Sequence, residues 1–225
     1  TYNHGMSTLQ TSPVAIVLAA GGATRLGRYK LFEPLEGIPV IERVVGAFLK
    51  AKKVHDVIVV NAPGEQESYS WLRSVNVHLA ENPDPTGGMI SSIRVGLRST
   101  WAHERNFLIQ PGDVPFVPPA IIDRVVHTFT TRSAKIVLPA YRGLGGHPGM
   151  FAAEVANDFF LHGDRQGARE ILIRYQRDVV RLNVPEPDIC FDIDTEQDVK
   201  AAANAESRWA RVESQLEAKK KSRMG

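Results

Sequence analysis

Apolar runs that leave no polar position, each followed by a helical pattern, constrain the fold of this chain more than any other feature. The first run, "VAIVLA" (Val14–Ala19), offers no face to water, so it suits a strand covered on both sides of a sheet. "PVIERVVGAFLKA" follows, opening on Pro39 with apolar residues at helical spacing. The alternation then repeats. "DVIVVN", "NVHLAEN", "NFLIQPGDVP" and "AKIVLPA" read as strands, with helical patterns in "EQESYSWLRSV", "GMISSIRVGLRST" and "PAIIDRVVHTF" between them. Strands separated by helices of this length pair in parallel through crossovers. The expected fold is α/β, three layers around a mostly parallel central sheet.

After Ala140 the pattern loosens. "YRGLGGHPGMF" is a Gly- and Pro-rich loop leading into a short strand, and "DRQGAREILIRY" reads as helical. "DVVRLNVP" and "CFDID" read as short strands, and Thr195 is placed to cap one long helix beginning "EQDVKAAA". This part is expected to form a small C-terminal appendage on the sheet edge. Residues 1–13 are set aside as an N-terminal scar, since "TYNHG" precedes Met6. Residues 14–205 form a single domain, and 206–225 a helix end with the basic tail "AKKKSRMG". The length of 225 residues suits one domain. A net charge of +2 gives no general attraction for nucleic acid. No apolar run is long enough for a membrane span and no signal peptide is evident, so a cytoplasmic protein without a membrane partner is expected. The one cysteine, Cys190, can form no internal disulfide. It reads as a small buried residue in a strand.

The turn after the first strand, "LAAGGATRLGRYK" (Leu18 to Lys30), has the composition of a phosphate cradle. A dinucleotide fingerprint needs G-x-G-x-x-G and an acid closing the second strand. The glycines here are Gly21, Gly22 and Gly27, and that strand closes in "VVNAP". A Walker loop needs Lys and a hydroxyl after its last glycine, where this chain has Arg28 and Tyr29. A third reading fits. Ala20, Gly21 and Gly22 let backbone N–H groups approach phosphate oxygens, while Arg25 and Lys30 neutralise a triphosphate. The plain alternative is a tight turn with solvated cations.

Further along, "QPGDVP" puts Asp113 just past a strand's carboxyl end, where open α/β sheets bind ligands. A carboxylate facing a triphosphate invites Mg²⁺, with Mn²⁺ as the alternative ion. "FDIDTEQD" supplies Asp192, Asp194 and Asp198, and on a strand the first two share a face. Asp198 reads as surface. Gly88, Ser91 and Ser92 open a helix whose N-terminus suits an anion or is simply capped. His147 lies in the Gly-rich loop and is either structural or functional. Arg165 and Arg169 in "GDRQGAR" suit a phosphorylated acceptor, or are solvated charges.

Taken together and in order, "LAAGGATRLGRYK", "GGMISSIRVGL", "QPGDVP", "GGHPGMF", "GDRQGAR" and "DIDTEQD" resemble the NTP-transferase superfamily of molybdenum cofactor nucleotidyltransferases, its cytidylyl branch above all. The resemblance runs from Val14 to about Ala203. It implies a Rossmann-like nucleotidyltransferase fold and transfer of CMP from CTP to a phosphorylated pterin acceptor, molybdopterin. It further implies release of pyrophosphate and a molybdoenzyme as the partner that receives the cofactor. It implies nucleotide contacts at Leu18, Ala19, Ala20, Gly21, Gly22, Arg25, Lys30, Gly88, Ser91 and Ser92. Asp113 becomes the metal ligand, with Asp194 the second and Asp192 the fallback. Arg25, Lys30 and Asp113 carry catalysis, and His147, Arg165 and Arg169 face the acceptor. Ala20 stands where the guanylyl branch carries glycine, which implies CTP. Sugar-phosphate or GTP nucleotidyl transfer, and a non-catalytic nucleotide- or cofactor-binding module, are the competing readings.

Overall fold

The computed structural model describes residues 12–21, 30–75, 77–99, 102–162 and 167–224. Strand β1 (Val14–Ala19) lies inside an eight-stranded sheet. The other strands are β4 (Asp56–Asn61), β5 (Val77–Glu81), β6 (Phe107–Pro111), β7 (Ile136–Tyr141), β8 (Leu144–Gly145), β9 (Gly149–Phe151) and β10 (Val179–Asn183). The order is β10-β7-β9-β6-β1-β4-β5, with β8 paired to β7. β2 (Pro34–Leu35) and β3 (Ile38–Pro39) form a separate antiparallel pair. Pairings β1–β4, β1–β6, β4–β5 and β7–β10 are parallel, as the alternation predicts.

Alternation of side chains along β1 feeds two cores. Ala15, Val17 and Ala19 pack on one face with α1 (Val40–Lys50) and α3 (Pro119–Arg132). Val14, Ile16 and Ala20 pack on the other with α2 (Gly88–Arg98) and α4 (Ala156–Leu161). Helix α2 lies close to the sheet because Gly96 has no Cβ; one built there would stand 2.4 Å from Ile16 Cγ2. Among the described residues no helix is long and apolar enough to cross a membrane.

Several expected elements differ. The segment 66–74 is a 3-10 helix. The chain after Ala140 joins the sheet itself: β9 inserts between β6 and β7, antiparallel to both, and β10 forms the edge. "CFDID" is not a strand. Pro187–Cys190 winds a 3-10 turn, and Phe191–Asp194 runs extended without a ladder. Its Ile193 N–H donates instead to the Asp113 carbonyl at 2.9 Å. Cys190 is accordingly half-buried on that turn rather than in a strand. Thr195 does cap a helix, in a reciprocal box with Asp198, but α6 (Glu196–Ala201) is short. Asn204 accepts from Ser207 N–H at 2.8 Å and starts a new helix, α7 (Ala205–Met224). The segment set apart as a helix end and basic tail is therefore helical through Met224, and its Val212 and Leu216 are buried in the α1–α3 core. Asp198, read as surface, is buried, bound by Thr195 and by Arg211 at 2.6 Å. Those partners outweigh burial and hold its carboxyl below the usual range.

Candidate active site

The carboxyl ends of β1 and β6 meet at a tight crossing. Gly112 N–H donates to the Leu18 carbonyl at 2.9 Å, and a Cβ on Gly112 would stand 2.8 Å from that oxygen. Only glycine lets the two chains approach so closely. Beyond the crossing opens a pocket of about 590 Å³, where ligands bind in open α/β sheets. Strand order sets out its walls. Pro85, Gly88, Met89 and Ser92 lie on the β5–α2 side, Leu18 lies near the end of β1, and Ala20 and Gly21 follow it. Asp113 follows β6, and Leu144, Gly145 and His147 come from the β7–β9 side. Cys190, Asp192, Asp194 and Gln215 close the rim. Among the described residues a Cβ on Gly21 would meet nothing within 4 Å.

Lys30 opens a 3-10 turn and places its ammonium between two carboxylates. Its Nζ donates to Asp113 Oδ2 at 2.7 Å and to Asp194 Oδ1 at 2.8 Å. Burial works to lower the Lys30 pKa, but Asp113 and Asp194 outweigh it and raise it above the usual range. Asp192 is pushed up by its burial and then by Asp194 and Asp113. Although Phe191–Asp194 is no strand, its alternation holds. Phe191 and Ile193 are buried, and Asp192 and Asp194 face the pocket together.

The structure thus brings Leu18, Ala20, Gly21, Lys30, Gly88, Ser92, Asp113, His147 and Asp194 to one place. Ala19 is not on the wall; its side chain is buried in the core beneath. Ser91 is not on it either, because its hydroxyl donates within the turn, to the carbonyls of Asp84 and Gly88 at 2.8 Å each. Arg169 is exposed on the first turn of α5 (Ala168–Arg174), whose Ile171 faces the core, and it is absent from the pocket wall. Gly22, Arg25 and Arg165 lie outside the described residues.

Two contributors went unread in the sequence. Asn82 is buried, and its amide donates to Ser91 Oγ at 2.9 Å and to Ser92 Oγ at 3.0 Å. Its Oδ1 accepts from Asp84 N–H at 3.0 Å, so one side chain ties the end of β5 to the first turn of α2. An Asn after a strand, ahead of a Gly-Gly helix start, was the available signal. Gln215 comes from α7, and the sequence carries no signal for it because the charged pattern around it is that of a solvated helix end.

Half-buried His147 has its backbone N–H bonded to the Ile189 carbonyl at 3.0 Å. Burial pushes its pKa from the usual 6.5 down to about 4, with Asp113 pulling the other way. The ring is therefore neutral at physiological pH. The unfolded chain takes up this proton near pH 6.5 and the folded chain only near pH 4. Stability is complete above pH 6.5 and declines as pH falls from there toward 4, by about 2 kcal/mol after allowance for partial exposure. Urea unfolding at pH 7.5 and pH 5 checks this. His147→Asn should lose less stability between those two values than the wild type; equal losses would show that the imidazole does not stay neutral.

An open, mostly parallel sheet with a small-residue turn after its central strand, and carboxylates bound to a lysine above it, defines a nucleotide-handling α/β protein. A family model described as the MobA-like NTP transferase domain matches residues 15–179. The chain belongs to that family and is a nucleotidyltransferase. Among similar proteins is a probable molybdenum cofactor guanylyltransferase of Mycolicibacterium paratuberculosis, 28% identical over 84% of this chain and 94% of that protein. The molybdenum cofactor cytidylyltransferase of Escherichia coli is 22% identical over 81% and 91%. Among solved structures, Rv0371c of Mycobacterium tuberculosis shares the fold with a TM-score of 0.69, at 21% identity over 87% of this chain and 100% of that one.

Proposed function

We propose that this chain transfers CMP from CTP to a phosphorylated pterin acceptor, molybdopterin, and releases pyrophosphate. The observation that carries the reading is the pairing of Lys30 with both Asp113 and Asp194 at the mouth of the β1 turn. It is supported by relatives named for molybdenum cofactor nucleotidyl transfer that align over most of this chain. A molybdoenzyme receiving the product fits the same reading.

An acceptor phosphate oxygen forms a bond to the α-phosphorus of CTP. The bond from that phosphorus to the bridging oxygen breaks, and pyrophosphate leaves with the electron pair. The acceptor phosphate is already ionised, so no side chain need act as base. Backbone N–H groups at Ala20 and Gly21 donate to phosphate oxygens, and the Lys30 ammonium neutralises charge on the α-phosphate and on the leaving group. The chain's work is positioning and fixed charge, without a covalent enzyme intermediate.

The residues fit a divalent cation. Among the described residues no three His, Cys, Asp or Glu side chains converge to hold a metal alone. Two carboxylates meet at Lys30, and Mg²⁺ uses about that number when phosphates and water complete its shell. Asp113 and Asp194 would hold it, and it would supply charge neutralisation between nucleotide and acceptor.

Ala20 carries the base choice. It lines the pocket while its methyl packs in the core, and its Cβ holds the backbone to φ < 0 where glycine would be free to turn. CTP is expected to exceed GTP by roughly tenfold to a hundredfold in kcat/KM with molybdopterin fixed, and Ala20→Gly to shrink the ratio. Equal values or a GTP preference would sink the cytidylyl reading and leave nucleotidyl transfer standing. GTP is the second reading because the mycobacterial relative, named a guanylyltransferase, aligns at 28% identity against 22% for the cytidylyltransferase. Pyrophosphate release on mixing CTP, Mg²⁺ and acceptor separates an enzyme from a nucleotide-binding module.

A further inference from the structure

We infer that helix α7 completes the acceptor-binding side of the pocket, with Gln215 and Lys219 as the residues that hold an anionic, phosphorylated acceptor. This rests on the nucleotidyl-transfer reading above and adds a subsite outside the segment that the family model matches, which ends at residue 179.

The helix is fastened where such a role requires. Arg208 pairs with Asp188 at 2.8 Å and lies 3.9 Å over the Phe116 ring. Arg211 binds Asp198, and Glu213 accepts from Tyr141 Oη at 2.9 Å and from Arg142 at 2.8 Å. Those partners sit on the turn before Cys190, on α6 just after Asp194, and on the β7–β8 turn. The three segments that build the acceptor side are thus each tied to one helix. Val212 and Leu216 anchor it in the core. On the rotation these contacts set, Gln215 reaches the pocket wall.

Lys219 lies one turn beyond Gln215 on the same helical face. Lys219 is exposed, and its long stem can reach back one turn toward the rim that Gln215 lines. Its charge matters because of what else lines this end. Leu144, Gly145, Cys190, Asp192 and Gln215 include no cation, and His147 is neutral at physiological pH. A phosphorylated acceptor entering beside Asp192 and Asp194 meets like charge. Lys219 offsets it, and the Gln215 amide offers both a donor and an acceptor to a heterocyclic body.

The test uses the full chain with Lys219→Glu, Lys219→Arg and Gln215→Ala. Steady-state rates are measured with CTP, Mg²⁺ and molybdopterin, and equilibrium binding of molybdopterin is followed by pterin fluorescence. For Lys219→Glu and Gln215→Ala the acceptor KM and Kd should rise about tenfold. The KM for CTP and the thermal stabilisation by CTP with Mg²⁺ should stay within twofold of wild type. Lys219→Arg should retain most acceptor affinity, and the Lys219→Glu defect should shrink as salt rises. Unchanged acceptor affinity in both damaging variants, or an equal loss for CTP, would overturn the assignment. Should the wild type bind molybdopterin yet release no pyrophosphate, the transfer reading fails while the fluorescence titration still decides the role of α7.

Discussion

Asp113→Ala is expected to lower turnover by roughly 10²-fold or more and to leave the fold intact, by analogy with losses of single charge-stabilising groups. The separation of effects follows from how Asp113 is held. Its backbone carbonyl, not its carboxylate, binds Ile193 N–H, and that bond survives the substitution. Its carboxylate contacts Lys30 in a pocket still open to solvent. Turnover with CTP, Mg²⁺ and molybdopterin, alongside thermal unfolding, checks the claim. A variant with near-normal turnover would remove Asp113 from the site. Asp194→Ala should behave alike, since its carboxylate shares the same ammonium. If Asp192→Ala proves the damaging change and Asp194→Ala is mild, the two carboxylates exchange roles.

Lys30→Ala should rank with it, at roughly 10²-fold in turnover. The lysine donates to two carboxylates at once, so its removal leaves Asp113, Asp192 and Asp194 crowded without their cation. Contact with the α-phosphate during transfer predicts a fall in kcat larger than any change in nucleotide affinity. Lys30→Arg should not restore turnover, because a planar fork cannot occupy the place of a compact ammonium between two carboxylates. A loss confined to apparent CTP affinity would demote Lys30 to ground-state binding.

The sheet and both core faces were legible in the sequence because β1 carries no polar residue and the helices that cover it carry strong periodicity. The positions of Ala20, Gly21, Asp113 and Asp194 were legible for a related reason: each follows an apolar segment directly, so its place at a strand end or beside it could be counted. The antiparallel insertion of β9 was not. A three-residue strand has too little pattern to show direction, and its pairing depends on the sheet edges of β6 and β7. "CFDID" alternated as a strand does, yet its backbone bonds go to Asp113 and to turns. Asn82 and Gln215 escaped because they act through partners distant in sequence. Asp198 escaped because Arg211, which neutralises it, comes from a second helix begun by Asn204.

The excursion from β7 out through β8 and back along β9 enters and leaves on neighbouring sheet positions. Gly146 packs so tightly under Ile189 that a Cβ there would stand 2.7 Å from the Ile189 carbonyl, which pins the excursion to the 3-10 turn before Cys190. Neither β8 nor β9 pairs with β1, β4 or β5, the strands on the nucleotide side under the proposed function. A lineage could therefore lengthen or recompose residues 141–148 together with α7 and take a different acceptor, while the nucleotide half kept its register. Under the proposed function, donor and acceptor recognition can evolve at separate rates, with the carboxylates between them as the common boundary.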